Sequence, residues 1–163
     1  RQQPCGLVLD FSANSGGNMW PMLVGLSPLL SEGPLGAFRS AGGATNRIEK
    51  INGLVTMSGK PHFLNFPPLA TPPGSAQFIA IVIGDKSASS GEITPLMFFG
   101  QENVMDFGRK TSGFTSANQV FPLPNGGSLV LTTSMTEDRN GHEHPDGIEP
   151  DMNRPGFPGG SFP

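Results

Sequence analysis

Short apolar runs that end in glycine-containing turns dominate the hydrophobic pattern of the chain. Residues 6–12 and 78–83 are apolar runs bounded by turn residues, a pattern that predicts buried strands. Behind each run, apolar positions recur at helical spacing, over residues 19–30 and again over residues 93–98. This spacing predicts a helix after each strand. Strands that alternate with helices indicate an α/β fold.

The rest of the pattern predicts further strands and one irregular segment. Residues 47–57 and 119–133 each have the pattern of a hairpin, the second closed by an Asn-Gly turn, and residues 104–107 have that of a single strand. Residues 33–74 are rich in proline and glycine. We expect this segment to run over the surface as a wall or lid of a cleft.

Composition limits both the fold and its partners. The chain has 23 glycines and 17 prolines in 163 residues, which excludes long helical bundles. Its hydrophobic content of 36% is enough for one core, which we expect to span residues 1–151, with residues 152–163 as a Pro/Gly-rich tail. Ten Lys and Arg against 13 Asp and Glu give a net charge of -3 without a basic run, which excludes a nucleic-acid partner.

Single features of the sequence argue against cysteine-based sites and against a membrane-spanning segment. Cys5 is the only cysteine, so the chain holds neither an internal disulfide nor a cysteine-based zinc site. The longest apolar stretch, residues 19–30, is broken by Pro21, Gly25 and Pro28. A stretch this short and interrupted predicts no membrane span.

Two strand-to-helix turns are candidates for chemistry. The turn at residues 14–17 is glycine-rich, and the turn at residues 87–92 carries three serines at a predicted helix N-terminus. Backbone amides there favour an oxyanion, so a serine nucleophile with an oxyanion hole built from both turns is one hypothesis. The alternative is structural: Ser89 or Ser90 caps the helix and Glu92 completes a capping box.

The three histidines give weaker signals. His142 and His144 lie two residues apart in a polar loop without a third ligand nearby, a pattern more typical of a solvated loop than of a metal site. His62 follows Pro61 and has no partner in the sequence. A histidine base for Ser89 therefore requires tertiary proximity.

Five stretches of the sequence carry a resemblance to a known family. They are GLVLDFSANSGG (6–17), SASSGE (87–92), GRKTSG (108–113), QVFPLPNGG (119–127) and PDGIEPD (145–151). In this order, they resemble the C-terminal processing (tail-specific) serine peptidase family. The resemblance implies a crotonase-like ββα core, the C-terminal portion of a peptidase catalytic domain, a peptide or protein substrate, and no metal or organic cofactor. It also implies a periplasmic or extracellular bacterial location.

The resemblance also implies roles for single residues. Ser89 matches the nucleophile of the family. The amides of Ser90 and of Gly16, or its neighbour Gly17, match the oxyanion donors. Gln119 matches the glutamine that orients a lysine base in the best-known branch.

The general base is where the chain departs from that branch. Phe114 occupies the position of the lysine, and Lys110 lies on the other side of the turn. Without that lysine, the sequence is more similar to a second branch of the family, which includes the tricorn-protease core and the interphotoreceptor retinoid-binding proteins. Three alternatives follow: a base in an upstream segment, a contribution from His144 or Glu143, or an inactive site.

Partners follow from the same resemblance. We expect an extended peptide to lie in an apolar groove between the 19–30 helix and the 33–74 segment, by strand addition. The domain is expected to associate with copies of itself or with an upstream segment. Two other functions remain open: a non-catalytic module that binds an apolar ligand, and an acyl-transfer enzyme of the crotonase type.

Overall fold

The computed structural model describes residues 6–62 and 78–151. The chain runs through β1 (Leu7–Asp10), α1 (Met19–Leu26), a 3₁₀ turn (Ser27–Leu29), β2 (Gly33–Ser40), β3 (Thr45–Ile51), β4 (Leu54–Met57), β5 (Lys60–Pro61), β6 (Ile79–Ile83), α2 (Ser90–Leu96), β7 (Val104–Gly108), β8 (Ser116–Pro122) and β9 (Ser128–Asp138). The predicted α/β class is confirmed. The predicted tail, residues 152–163, lies outside the described residues.

A small parallel sheet brings the two strand-to-helix turns together. It has the order β1-β6-β7, with Leu9 opposite Ile81 and Ile81 opposite Asp106. Ile79, Ile81 and Ile83 are all buried, so this face of β6 packs on the core. Because β1 and β6 run in the same direction, the turns that follow them meet at one edge of the sheet.

The larger sheet is antiparallel, and it corrects one expectation. Its order is β5-β4-β3-β2-β9-β8, so β2 lies inside it, and Leu35 on β2 is fully buried. A Cβ at Gly36 would lie 2.5 Å from the Glu137 carbonyl oxygen and 2.6 Å from Met97 Cε. Gly36 therefore permits close packing rather than marking a loop. The expected surface excursion is wrong for β2, although Phe38 of this strand lines a cavity as a cleft wall would. Residues 63–74 lie outside the described residues.

Both predicted hairpins are confirmed. β3 pairs with β4, and Ile51 lies opposite Leu54. β8 pairs with β9, with Val120 opposite Val130 and a break in register between Ala117 and Asn118. β8 ends the sheet order, so one edge of this strand has no neighbouring strand within the described part of the chain.

α1 is shorter than its apolar spacing over residues 19–30 predicts, and α2 begins and ends earlier than the apolar positions 93–98. Asn18 caps α1, because its Oδ1 accepts a hydrogen bond from the Trp20 amide at 3.1 Å, and the helix gives way to a 3₁₀ turn containing Pro28. Leu23 of α1 and Phe98, just after α2, are fully buried in the same core cluster. Neither described helix has the length and apolar character needed to cross a bilayer.

Candidate active site

The turn after β1 is built on two glycines. Gly16 and Gly17 have φ angles of 113° and 123°, a region that side chains other than glycine rarely adopt. The Gly16 amide donates a hydrogen bond to Asn14 Oδ1 at 3.0 Å. The Gly17 amide has no hydrogen-bond partner among the described residues. Gly17, rather than Gly16, therefore has a backbone donor available for a ligand.

The turn after β6 holds Ser89 in an uncommon conformation. Ser89 has φ 54° and ψ −124°, outside the regions that L residues favour. α2 begins at Ser90, whose amide also lacks a hydrogen-bond partner in the described part of the chain. Strained turns of this kind cluster at functional sites. Ser89 therefore lies at a helix N-terminus beside an amide that can donate.

Contacts between the two turns place the glycines next to the serine. The Ala88 amide donates to the Asn14 carbonyl oxygen at 3.1 Å, and Ser90 Oγ donates to the Gly17 carbonyl oxygen at 2.8 Å. A Cβ at Gly16 would lie 2.9 Å from Ser89 Cβ. The first turn therefore packs directly against the side chain of Ser89.

Glu92 links the serine turn to the loop after β7. Its carboxylate is fully buried, and Oε2 accepts the amides of Ser89 at 3.0 Å and Phe114 at 2.8 Å. Oε1 accepts the Gly113 amide at 2.9 Å and the Thr111 hydroxyl at 2.5 Å. The bond from the Ser89 amide to Glu92 is the one that Glu92 contributes to the predicted capping box. The same carboxylate holds the loop that carries Phe114.

A cavity of about 370 Å³ opens beside Ser89. None of the described residues that line it has an ionisable side chain. Asn118 of β8 lines the cavity, whereas Gln119, the predicted partner of a lysine base, does not. The lining residues are Gly17, Asn18, Met19, Trp20, Phe38, Ser89, Ser90, Ile93, Ser116, Ala117 and Asn118.

The remaining candidates for a general base lie elsewhere. His144 Nε2 is 3.1 Å from Asp138 Oδ2, and its ring packs edge-on against Phe99. Lys110 Nζ is 3.2 Å from Glu149 Oε1. Phe114, at the position of the family's lysine, has 63% of its surface exposed. The structure therefore brings neither His144 nor Lys110 to the lining of the Ser89 cavity, and Glu143 lines a different cavity beside Arg39.

Asp138 organises the loop that carries His144. Burial acts to raise the pKa of Asp138, but hydrogen bonds from the His142 amide, His144 and the Asn140 amide outweigh it, so the pKa lies below its ordinary value. The amide bonds measure 3.0 Å from His142 and 2.8 Å from Asn140. Among the described residues, no group of three His, Cys, Asp or Glu side chains has the arrangement of a metal site.

His62 has a tertiary partner that the sequence pattern did not indicate. Its ring stacks on the indole of Trp20, with ring centroids 3.6 Å apart and planes inclined by 1°. Trp20 in turn lines the Ser89 cavity. The two residues are distant in the sequence, and no local spacing could have paired them.

Comparison with known proteins places this chain in a family. The model of peptidase family S41 matches residues 1–154. The chain belongs to the S41 peptidases. This match confirms the resemblance to the peptidase family, and a solved C-terminal processing protease shares the fold.

Two bacterial proteins and one processing protease show how far the similarity extends. The chain is 34% identical over 135 residues to the nisin-resistance protein of Lactococcus lactis subsp. lactis, covering 82% of this chain and 41% of that protein. A lipoprotein from Streptococcus agalactiae is 36% identical with a TM-score of 0.69, over 90% of this chain and 49% of that one. The photosystem II D1 C-terminal processing protease shares the fold at 20% identity and a TM-score of 0.66, over 91% of this chain and 34% of that one. This S41 chain thus spans less than half the length of these relatives.

Proposed function

We propose that this S41 chain is the part of a serine peptidase that carries the nucleophile, Ser89. The observation that supports the proposal is the pairing of a strained Ser89 with two unused amides, those of Gly17 and Ser90, on turns that pack against each other. Donors placed in advance around a developing oxyanion are a principal source of catalysis in acyl transfer. We assign the oxyanion hole to the amides of Gly17 and Ser90, because the amide of Gly16 already donates a hydrogen bond to Asn14 Oδ1.

The proposed reaction passes through an acyl-enzyme. Ser89 Oγ attacks the scissile carbonyl carbon and gives its proton to the base, and the carbonyl oxygen becomes an oxyanion held by the amides of Gly17 and Ser90. The C–N bond then breaks, and the leaving amine takes the proton from the base. Water, activated by the same base, hydrolyses the ester on Ser89 and restores the hydroxyl.

We place the base outside these 163 residues. The described lining of the cavity has no ionisable side chain, and His144 is bonded to Asp138 instead. The chain covers only 41% of the nisin-resistance protein, so sequence outside this chain has room to supply a base. Of the three alternatives raised by the sequence, we therefore favour an upstream base.

The substrate is proposed to be a peptide that the protein meets outside the bacterial cytoplasm. One relative is named for nisin resistance and another is described as a lipoprotein. An extended peptide could pair with the edge of β8, because Ser116, Ala117 and Asn118 of that strand line the Ser89 cavity. Main-chain pairing of this kind gives affinity without demanding a particular sequence. Nisin is the first peptide to test.

The test is covalent labelling with a fluorophosphonate, followed by intact-mass measurement and peptide mapping. It is carried out on this chain and on a longer chain that includes upstream sequence. We expect one adduct, on Ser89, at least in the longer chain, and none after Ser89→Ala. Ser112→Ala is the matched control, since Ser112 Oγ donates to the Asp85 carbonyl oxygen on the surface. Failure of both chains to react overturns the peptidase proposal.

A binding module is the second candidate, and one observation favours it. The cavity is lined by the apolar side chains of Met19, Trp20, Phe38 and Ile93 and by no base among the described residues. Such a lining suits an apolar ligand as well as a substrate side chain. Absence of labelling, together with a lipid that copurifies with the protein, would support this function.

A further inference from the structure

We propose that Trp20, held in place by His62, is the wall of the Ser89 cavity that receives an uncharged, apolar side chain of the substrate. Trp20 is then a specificity-determining residue, and His62 is a positioning residue that acts through it. This inference rests on the proposed function, because it names the side chain that enters the cavity beside the nucleophile.

The position of Trp20 relative to the oxyanion hole is set by chain connectivity. Residues 17–20 are consecutive, and all four line the cavity. The Asn18 side chain caps the helix by accepting the Trp20 amide at 3.1 Å, so Trp20 is held in the first turn of α1. The segment that presents the Gly17 amide therefore also presents the indole. A carbonyl bound at Gly17 places its neighbouring side chain within reach of Trp20.

His62 fixes the indole from outside the cavity lining. The rings lie parallel, 3.6 Å apart, and the His62 amide donates to the Val55 carbonyl oxygen at 2.9 Å. The imidazole is thus anchored to β4 through its own backbone. Because it covers one face of the indole, a substrate can meet only the other face or the edge. Fixing a side chain before binding removes an ordering cost from association.

The chemistry of the lining selects the substrate side chain. Met19, Phe38 and Ile93 contribute apolar surface, and the polar lining groups are uncharged. A charged side chain in such a cavity would lose hydration without gaining an ionic partner. Leucine or phenylalanine would instead gain by burial against the indole. We therefore expect peptides with these side chains next to the scissile bond to bind best.

Trp20 provides its own reporter for the test. It is the single tryptophan of the chain, and the chain has no tyrosine, so excitation of tryptophan reports on this cavity wall alone. The Ser89→Ala variant of the chain is titrated with four peptides that differ at one position: Leu, Phe, Lys or Glu. We expect saturable changes in Trp20 emission with Leu and Phe, and affinities about tenfold weaker or worse for Lys and Glu.

The role of His62 is tested in the same background. His62→Ala should shift Trp20 emission to longer wavelength and weaken binding of the Leu peptide several-fold, and His62→Phe, which preserves ring stacking, should restore both. Phe121→Ala is the control, since Phe121 is an exposed aromatic of β8 outside the cavity lining. In a longer chain that turns over peptide, His62→Ala should raise KM for the Leu peptide more than it lowers kcat.

The outcomes separate this inference from the proposed function. Selective binding of Leu and Phe peptides without labelling of Ser89 would overturn the peptidase proposal and retain the cavity assignment. Labelling of Ser89 with equal or tighter binding of the Lys or Glu peptide would overturn the inference and retain the peptidase. Unchanged emission and affinity in His62→Ala would show that His62 does not position Trp20.

Discussion

The buried carboxylate of Glu92 accepts the backbone amide of Ser89 at 3.0 Å. It also accepts the amide of Phe114 at 2.8 Å, so one side chain fixes both the serine turn and the loop after β7. The helix cap and the candidate nucleophile are therefore parts of one hydrogen-bonded unit. The capping and catalytic interpretations of this turn are compatible rather than exclusive.

Replacing this carboxylate should destabilise the fold and the site together. In Glu92→Gln, an NH₂ group replaces one of the two accepting carboxylate oxygens. An NH₂ group donates and does not accept, so at least one amide is left without a partner. We expect a loss of about 2–4 kcal/mol in the free energy of unfolding, measured by urea denaturation, and slower labelling of Ser89. Glu102→Gln, at an exposed position, is the control and should change neither. Wild-type stability in Glu92→Gln would mean that the four hydrogen bonds contribute little.

Contact between the two turns should depend on Gly91. A Cβ there would lie 1.9 Å from the Asn14 carbonyl oxygen, which forces the turns apart. Gly91→Ala is expected to cost roughly 2 kcal/mol or more in stability and to reduce fluorophosphonate labelling by at least about tenfold. Gly42→Ala is the matched control, since a Cβ at Gly42 meets only Ser40 Oγ at 4.0 Å. Normal labelling of a folded Gly91→Ala variant would show that the contact is not needed.

The stability of the chain should depend on pH through Asp106. Burial raises the pKa of Asp106 to about 6, although the hydrogen bond from the Asp151 amide opposes it, and the charge of Asp151 adds to the rise. Because this folded-state pKa lies above the ordinary value of 3.8, the contribution to stability is fully present below pH 3.8 and is lost as the pH rises through about 6.

Asp106→Asn should remove this dependence. Asn has no charge to bury and can still accept the Asp151 amide through Oδ1. We expect the variant to be more stable than wild type by about 2–3 kcal/mol at neutral pH, and the difference to vanish in acid. Urea denaturation of the variant and the wild type, repeated across the pH range, measures the difference in stability at each pH. Asp146→Asn, at an exposed position, is the control. A constant difference at every pH would contradict titration of Asp106.

His144 should prove structural. Its ring is bonded to Asp138 at 3.1 Å, and its carbonyl oxygen accepts the Thr115 hydroxyl at 2.7 Å. His144→Ala is expected to cost about 1–2 kcal/mol of stability, while a chain that labels at Ser89 keeps its labelling rate. His142→Ala, at an exposed ring, should cost less. Loss of labelling in a folded His144→Ala variant would instead identify His144 as the base.

Local patterns predicted the elements whose causes are local. Apolar runs and glycine or serine turns located β1, β6 and the turns at residues 14–17 and 87–92, because strand burial and turn conformations favour particular residue types. The cap of α1 is local in the same sense, because Asn18 is a residue type that favours helix N-termini. The serine motif and its neighbours were sufficient to identify the family, which the match over residues 1–154 confirms.

Tertiary structure alone decided the relationships that span the chain. The Pro/Gly-rich composition around Gly36 hid an interior strand, because the glycine serves packing against Met97 rather than a turn. The stacking of His62 on Trp20 joins residues that share no periodicity. Sequence therefore determined which residues could carry chemistry, through their types and local spacing. Only the folding of two sheets determined which of them meet at Ser89, since pairing between distant strands leaves no local signal.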